Sequence, residues 1–89
     1  FYAGDLLSWV MGRAGNGSLW FTVMGNVNAV AVALLTDVAG IVLTEGAPLD
    51  EDGKIRADVQ GIPIYSAEEN TAAALLGAYE LEKKHRAPL

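Results

Sequence analysis

Apolar positions along this chain follow two rhythms. Leu19-Trp20-Phe21-Thr22-Val23-Met24, Gly40-Ile41-Val42-Leu43-Thr44 and Ile62-Pro63-Ile64-Tyr65 are short, nearly unbroken runs rich in β-branched and aromatic residues. Such runs read as strands buried on both faces. Pro63 has no N–H to give to a ladder, which assigns the third run to a sheet edge. Elsewhere apolar residues recur at helical spacing. Leu6, Leu7, Val10 and Met11 predict a short helix capped by Asp5 and running to about Arg13. Asn26 is the predicted N-cap of a second helix, 26–36, in which Val27, Val30, Ala31, Leu34 and Leu35 form the inward stripe. Asp50 caps a third, mostly polar helix through about Gln60, with Ile55 and Val59 as its inner edge and Gly61 as its end. Ser66 and Glu69 have the S-x-x-E spacing of a capping box. They open a fourth helix, 67–82, with Ala72, Leu75, Leu76 and Tyr79 inward.

The strand centres near Val23, Leu43 and Ile64 are 20 and then 21 residues apart, and each interval holds one helix. That interval calls for parallel strands joined by right-handed crossovers. The predicted fold is α/β: a small three-layer α/β/α domain with a mostly parallel central sheet of βα units, spanning residues 1–89 as one domain. The second helix carries an extra implication. The side opposite its stripe, Ala29, Val32 and Ala33, is apolar too, and a helix apolar all round is buried all round. With 89 residues, the chain buries only about 60–65% of its unfolded surface on folding. Ala29, Val32 and Ala33, together with Trp9, are therefore expected at an interface. A homodimer through the 26–36 helix or the 67–82 helix follows.

Composition strengthens that expectation, since 52% of the residues are hydrophobic against roughly 45–50% in an average soluble domain. Charge narrows the partners. Eleven acids against six bases leave a formal net charge of −5, a poor match for the phosphate backbone, so no nucleic-acid partner is expected. The basic run Lys83-Lys84-His85-Arg86 reads as a solvated last helical turn, where cations suit the helix dipole. The longest uninterrupted apolar run, Ala29 to Leu35, falls far short of the roughly 20 residues of a membrane span, so no membrane partner is expected either. There is no Cys, hence no disulfide framework, thiol chemistry or zinc–thiolate site, which fits a reducing cytoplasm. The chain opens Phe1-Tyr2-Ala3-Gly4-Asp5 without a basic leader region. It is expected to be a fragment, a processed chain or one lacking its head.

Candidate chemistry is sparse. The single His, His85, sits in the basic tail, and Ser8, Ser18 and Ser66 have no evident base, so no nucleophilic triad can be assembled. Gly12-Arg13-Ala14-Gly15-Asn16-Gly17 lacks the Lys of a phosphate loop and leaves a helix rather than opening one, so it reads as a tight turn. Asp50-Glu51-Asp52 fails calcium-loop spacing and reads as the acidic start of a helix. No metal site and no cofactor are expected, and Trp9 and Trp20 read as core or interface residues. Met24-Gly25-Asn26-Val27-Asn28 has better geometry for a ligand. It leaves a strand and opens a helix, offering N–H groups and two amide side chains. Ligands of open α/β sheets bind beyond the carboxyl ends of the strands, where Glu45 and Gly46 would also lie. Gly25, Asn26, Asn28, Glu45 and Gly46 are thus candidates for contact with a nucleotide or other small anion; ordinary helix capping explains the same residues.

Gly4-Asp5-Leu6-Leu7-Ser8-Trp9-Val10-Met11 resembles the segment that follows the signature of DRTGG-domain proteins. The strand followed by Asn-Val-Asn-Ala-Val-Ala-Val-Ala (26–33), Ile41-Val42-Leu43 with Glu45-Gly46, and Gly61-Ile62-Pro63-Ile64 extend the resemblance over roughly residues 2–80. The Asp-Arg-Thr-Gly-Gly signature itself is not in the chain and would lie just upstream of Phe1. The resemblance implies a regulatory or dimer-forming domain whose associated catalysis lies elsewhere. Such domains occur as short proteins near iron-hydrogenase genes of anaerobes, and within phosphotransacetylases and regulated pyrophosphatases. They are similar to the N-terminal domain of HPr kinase, which makes an accessory domain without kinase activity a further alternative. No catalytic residue carries over. The expectation is a non-catalytic interaction domain acting as a homodimer, with a small-ligand sensor as the alternative.

Overall fold

The computed structural model describes residues 1–85. The elements in chain order are β1 (Tyr2–Ala3), α1 (Leu7–Arg13), β2 (Leu19–Thr22), α2 (Val27–Thr36), β3 (Gly40–Leu43), α3 (Glu51–Gln60), β4 (Ile64–Ser66) and α4 (Thr71–His85). Four parallel strands lie in the order β1-β2-β3-β4. The α/β prediction holds, and Pro63 precedes an edge strand as its missing N–H requires. The Pro63 carbonyl still accepts from Ile41 N–H (2.9 Å). The two-residue strand β1 escaped the sequence reading, being too short to show a period.

Register aligns Trp20 with Ile41 and Phe21 with Val42 and Tyr65. Because side chains alternate along a strand, Trp20, Ile41 and Leu43 point to one face and Phe21 and Val42 to the other. On the first face they pack with Val10 of α1 and Ala29, Val32 and Ala33 of α2, and α3 lies against α2. On the second face Phe21 and Val42 meet Ala74 of α4, edged by Phe1, Leu19, Leu75 and Ala78. Three helices therefore cover one face and a single helix the other. This follows from topology: three successive crossovers of one hand in an order that never reverses put all their helices on the same side.

The caps at Asn26 and Asp50 form as predicted, accepting from Ala29 N–H (3.0 Å) and Gly53 N–H (2.7 Å). Other expectations change. Asp5 does not cap α1; Leu6 occupies that position without a side-chain bond. The fourth helix begins at Thr71, not 67. Its cap is Asn70, accepting from Ala73 N–H (2.8 Å). Ser66 instead ends β4, so no capping box forms. Arg86, the last of the basic turn, lies outside the described residues.

Helix phases rotate as well. Leu34 and Leu35 of α2 are exposed, while Ala29, Val32 and Ala33, expected at a dimer interface, are buried in the domain's own core. Trp20 fills the space beneath α2, leaving room for small side chains above it. In α3, Ile55 and Val59 face outward, and Gly53 and Ala57 face inward. A Cβ on Gly53 would lie 3.2 Å from the Asn26 carbonyl carbon, so α3 approaches the start of α2 too closely for a larger side chain. In α4, Ala74 is buried and Leu75 and Ala78 half-buried, whereas Ala72, Leu76 and Tyr79 are exposed.

Candidate functional site

The carboxyl edge of the sheet gathers the loops after each strand, and its polar groups bond to one another. Thr22 and Thr44, ending β2 and following β3, are fully buried. Asp5 Oδ1 accepts from Thr22 Oγ1 (2.7 Å) and Val23 N–H (3.0 Å). Thr22 Oγ1 in turn accepts from Met24 N–H (3.2 Å). The Thr44 and Thr71 hydroxyls are 2.7 Å apart, tying β3 to the first turn of α4. The aspartate that looked like a cap is thus a clasp between β1 and β2. Nothing in the sequence marks it, because Asp5 and Thr22 are 17 residues apart.

The candidate ligand residues fall into two groups. In the first, Gly25 and Asn26 lead into α2. A Cβ on Gly25 would overlap the Pro48 carbonyl oxygen, so the glycine is required by the close passage of two backbones. That packing is reinforced by Asp50 N–H donating to the Gly25 carbonyl (2.8 Å). The Asn26 side-chain oxygen is occupied by its cap, and Asn28 is exposed on the first turn. In the second group, Glu45 and Gly46 both have left-handed backbones (φ 57° and 65°). Their N–H groups donate to the Glu69 carbonyl (2.7 Å) and the Ala67 carbonyl (3.0 Å).

These two bonds span the place where an open α/β sheet most often binds ligands, between loops that diverge to opposite faces. Here α3 returns over the first face and α4 over the second, so that place lies between the ends of β3 and β4. The Glu45 and Gly46 N–H groups, which a ligand would use there, are already taken. Among the described residues, no group of three or more His, Asp or Glu side chains is placed to hold a metal. No described helix is long and apolar enough to cross a membrane.

Trp9, expected at an interface, is 53% exposed on α1, with the Arg13 guanidinium 3.9 Å above its ring. The arrangement is a surface cation–π stack.

Two recesses lie elsewhere on the surface. Since α4 leans toward β2, and Tyr79 packs edge-on against Phe1 at the β1 end (centroids 4.5 Å), part of the second sheet face is left open beside it. A groove of about 520 Å³ results, with Leu19, Val42 and Tyr65 on its sheet side and Ala74, Gly77 and Leu81 on its helix side. A second recess of about 380 Å³ lies between Val27 and the outer side of α3, bounded by Asp52, Ile55, Arg56 and Val59. The sequence reading missed the first groove. Its signal was the pair of small residues Gly77 and Ala78, set between Leu76 and Tyr79 of the stripe read as inward. Set against protein-family models, curated proteins and solved structures, the chain matches none.

Proposed function

We propose that this chain is a non-catalytic regulatory or protein-interaction domain that works as a homodimer. The observation that carries this reading is the distribution of large apolar side chains. Twelve of them are exposed among the described residues of a 9.4 kDa chain. Single exposed apolar residues are ordinary. Here they recur on every helix: Leu6, Trp9 and Met11 on or beside α1, Leu35 on α2, Val59 on α3 and Leu76 on α4. Apolar surface on this scale stabilises a complex once a partner removes it from water.

The polar chemistry at the carboxyl edge supports the same reading. Its hydroxyls, amides and the Asp5 carboxylate serve to hold the sheet edge together. The small-ligand alternative loses ground for that reason, because Glu45, Gly46 and Asn26 bond within the chain. Membership in the DRTGG family belongs to the proposal, carried by Gly4–Met11 and the segments that follow. A link to hydrogenase or energy metabolism rests on that resemblance alone. A reducing cytoplasmic setting rests on the absence of Cys.

Light scattering on the purified chain at about 100 µM tests the proposal, a concentration at which a micromolar dimer is well populated. The expected mass is that of two chains; the mass of one chain overturns the homodimer. A parallel thermal-shift series with nucleotides at millimolar concentration is expected to leave Tm unchanged. A ligand that binds the folded state must raise Tm, so a clear rise would restore the sensor alternative.

A further inference from the structure

We infer that Asn16 is a site of self-modification: the Gly17 backbone nitrogen attacks the Asn16 carboxamide, and the folded chain converts this residue to aspartate and isoaspartate without an enzyme. The inference goes beyond the interaction reading above and does not rest on it.

The glycine-rich run between α1 and β2 supplies the site. Ser18 N–H donates to the Gly15 carbonyl (3.0 Å), which closes a turn with Asn16 and Gly17 at its centre. Of these two, Gly17 alone has a positive φ (78°), the type II pattern. Asn16 and the glycines on either side of it are exposed. A Cβ at Gly17 would meet nothing within 4 Å, so nothing crowds its nitrogen from that side. Among the described residues the Asn16 side chain takes part in no hydrogen bond. Its carbonyl carbon is free to turn toward the next nitrogen in the chain.

The other three asparagines lack this combination. Asn26 and Asn70 are held as helix caps, their side-chain oxygens accepting from Ala29 N–H (3.0 Å) and Ala73 N–H (2.8 Å). The residues that follow them, Val27 and Thr71, are β-branched and stiff. Asn28 is exposed, but the nitrogen after it belongs to Ala29, which is fixed in the first turn of α2 by the Asn26 carbonyl (3.1 Å) and side chain (3.0 Å).

The chemistry needs only water and a base. Gly17 N–H gives its proton to hydroxide, and the nitrogen lone pair attacks the side-chain carbonyl carbon of Asn16. An N–C bond forms, the bond to the amide nitrogen breaks, and that nitrogen takes a proton from solvent and leaves as ammonia. Water then opens the imide ring. Attack at the side-chain carbonyl gives aspartate; attack at the backbone carbonyl gives isoaspartate, with the chain running through the former side chain. No atom changes oxidation state.

One contact sets the pace. Gly17 N–H donates to the Asp37 carbonyl (2.9 Å) in the turn that follows α2, so the nitrogen attacks only when this bond opens. Glycine before and after Asn16 gives the turn the backbone freedom to open locally. The product in turn alters the junction. Either product adds a negative charge to a chain that already carries −5. Isoaspartate also inserts a methylene into the backbone just before Ser18, whose carbonyl accepts from Ala39 N–H (2.7 Å). The bonds that join the α1–β2 turn to the α2–β3 turn are therefore the ones that loosen as the protein ages.

The test is to incubate the folded full chain in mildly alkaline buffer, with Asn16→Gln and a urea-unfolded sample in parallel, and to locate the products by peptide mass spectrometry with fragment ions. Circular dichroism checks that the first two stay folded. In the folded wild type, Asn16 is expected to convert about tenfold or more faster than Asn26, Asn28 and Asn70, whose next residues are β-branched or held in a helix. The unfolded sample is expected to react faster still, because the Gly17–Asp37 bond is gone. Asn16→Gln must close a larger ring and is expected to stay unmodified. An Asn16 that remains intact, or that reacts no faster than the other three, overturns the site. Conversion confined to the unfolded sample overturns it for the folded protein. Equally fast formation of acidic product by Asn16→Gln places the chemistry elsewhere and overturns it too.

Discussion

On one face of the sheet α1 and α2, with α3 packed against α2, enclose Trp20, Ile41 and Leu43; on the other a single helix shelters Phe21 and Val42. The strands contribute equally apolar residues to both. What differs is the covering, and that is set by the order of the elements. Successive crossovers of one hand load the first face, and only the helix after the last strand is left for the second. The first face is thereby a closed core. The second remains half a core, with its apolar floor available to another molecule. Stability is thus drawn unequally from the two sides of one four-stranded sheet.

Truncating one aromatic on each side is the strongest way to break this contrast. Trp20 is fully buried and its indole N–H donates to the Gly4 carbonyl (2.8 Å). Trp20→Ala should cost about 3–5 kcal/mol, a large part of the total stability of about 5–13 kcal/mol expected for a domain this size. Phe21 is also buried, but it borders the groove. Leu19 and Leu81 can close over the space it vacates, so Phe21→Ala should cost about 3 kcal/mol or less. Urea denaturation of both variants measures the difference. Equal costs would mean that the two faces are energetically alike.

Hydrogen exchange sharpens the same contrast without mutation. Amides of α2, packed between α1 and α3, should exchange only in near-global unfolding. Amides of α4 should open locally and exchange at least tenfold faster, because this helix packs on one sheet face and the Phe1 ring with no helix on either side of it as α2 has.

How much of this was readable from sequence varies with the range of the interaction. Asn26 and Asp50 are caps because an Asx side chain reaches an N–H three residues ahead, a purely local geometry. The strands at 19–22 and 40–43 stood out through continuous β-branched and aromatic character. Helix phase did not, because α2 and α4 carry apolar residues all round. Which side turns inward is then decided by volume: Trp20 leaves space for Ala29 and Ala33, not for Leu34 and Leu35. Ser66 and Glu69 had the right spacing, but the strand extends to Ser66 and the helix starts later, at Asn70. The carboxyl-edge candidates were placed at the right end of the sheet. The bonds of Glu45 and Gly46 to the Glu69 and Ala67 carbonyls depend on a loop more than 20 residues further on, and local pattern cannot show that. The groove depends on β1 and on the side to which α4 returns, and so on the whole topology.

Helix caps give a smaller test. Asn26 caps α2 on the closed face and Asn70 caps α4 on the open one, each through one side-chain oxygen. Either Ala substitution removes about 1 kcal/mol from its helix. In α2 that loss should register globally, lowering Tm by roughly 4–8 °C. In α4 it should appear mainly as faster exchange of the first turn, with a smaller change in Tm. Differential scanning calorimetry paired with exchange reads both. Equal Tm losses would show that α4 unfolds as one unit with the first face.

The smallest effect is confined to the closed face. Both α2 and α3 end in a residue with left-handed backbone, Asp37 at φ 55° and Gly61 at φ 69°. Gly61 adopts that conformation without a steric penalty, whereas Asp37 must hold its Cβ against the following carbonyl. Asp37 N–H and Val38 N–H still bond back to the last turn of α2, so the backbone geometry suits glycine there. Asp37→Gly relieves the strain but adds freedom to the unfolded chain. The net gain should be about 0.5 kcal/mol, or roughly 2–4 °C in Tm. Because Asp37 lies on a turn of the closed face, exchange in α4 and the dimer dissociation constant should stay at their wild-type values. A change in either would mean that the two faces are coupled through the sheet.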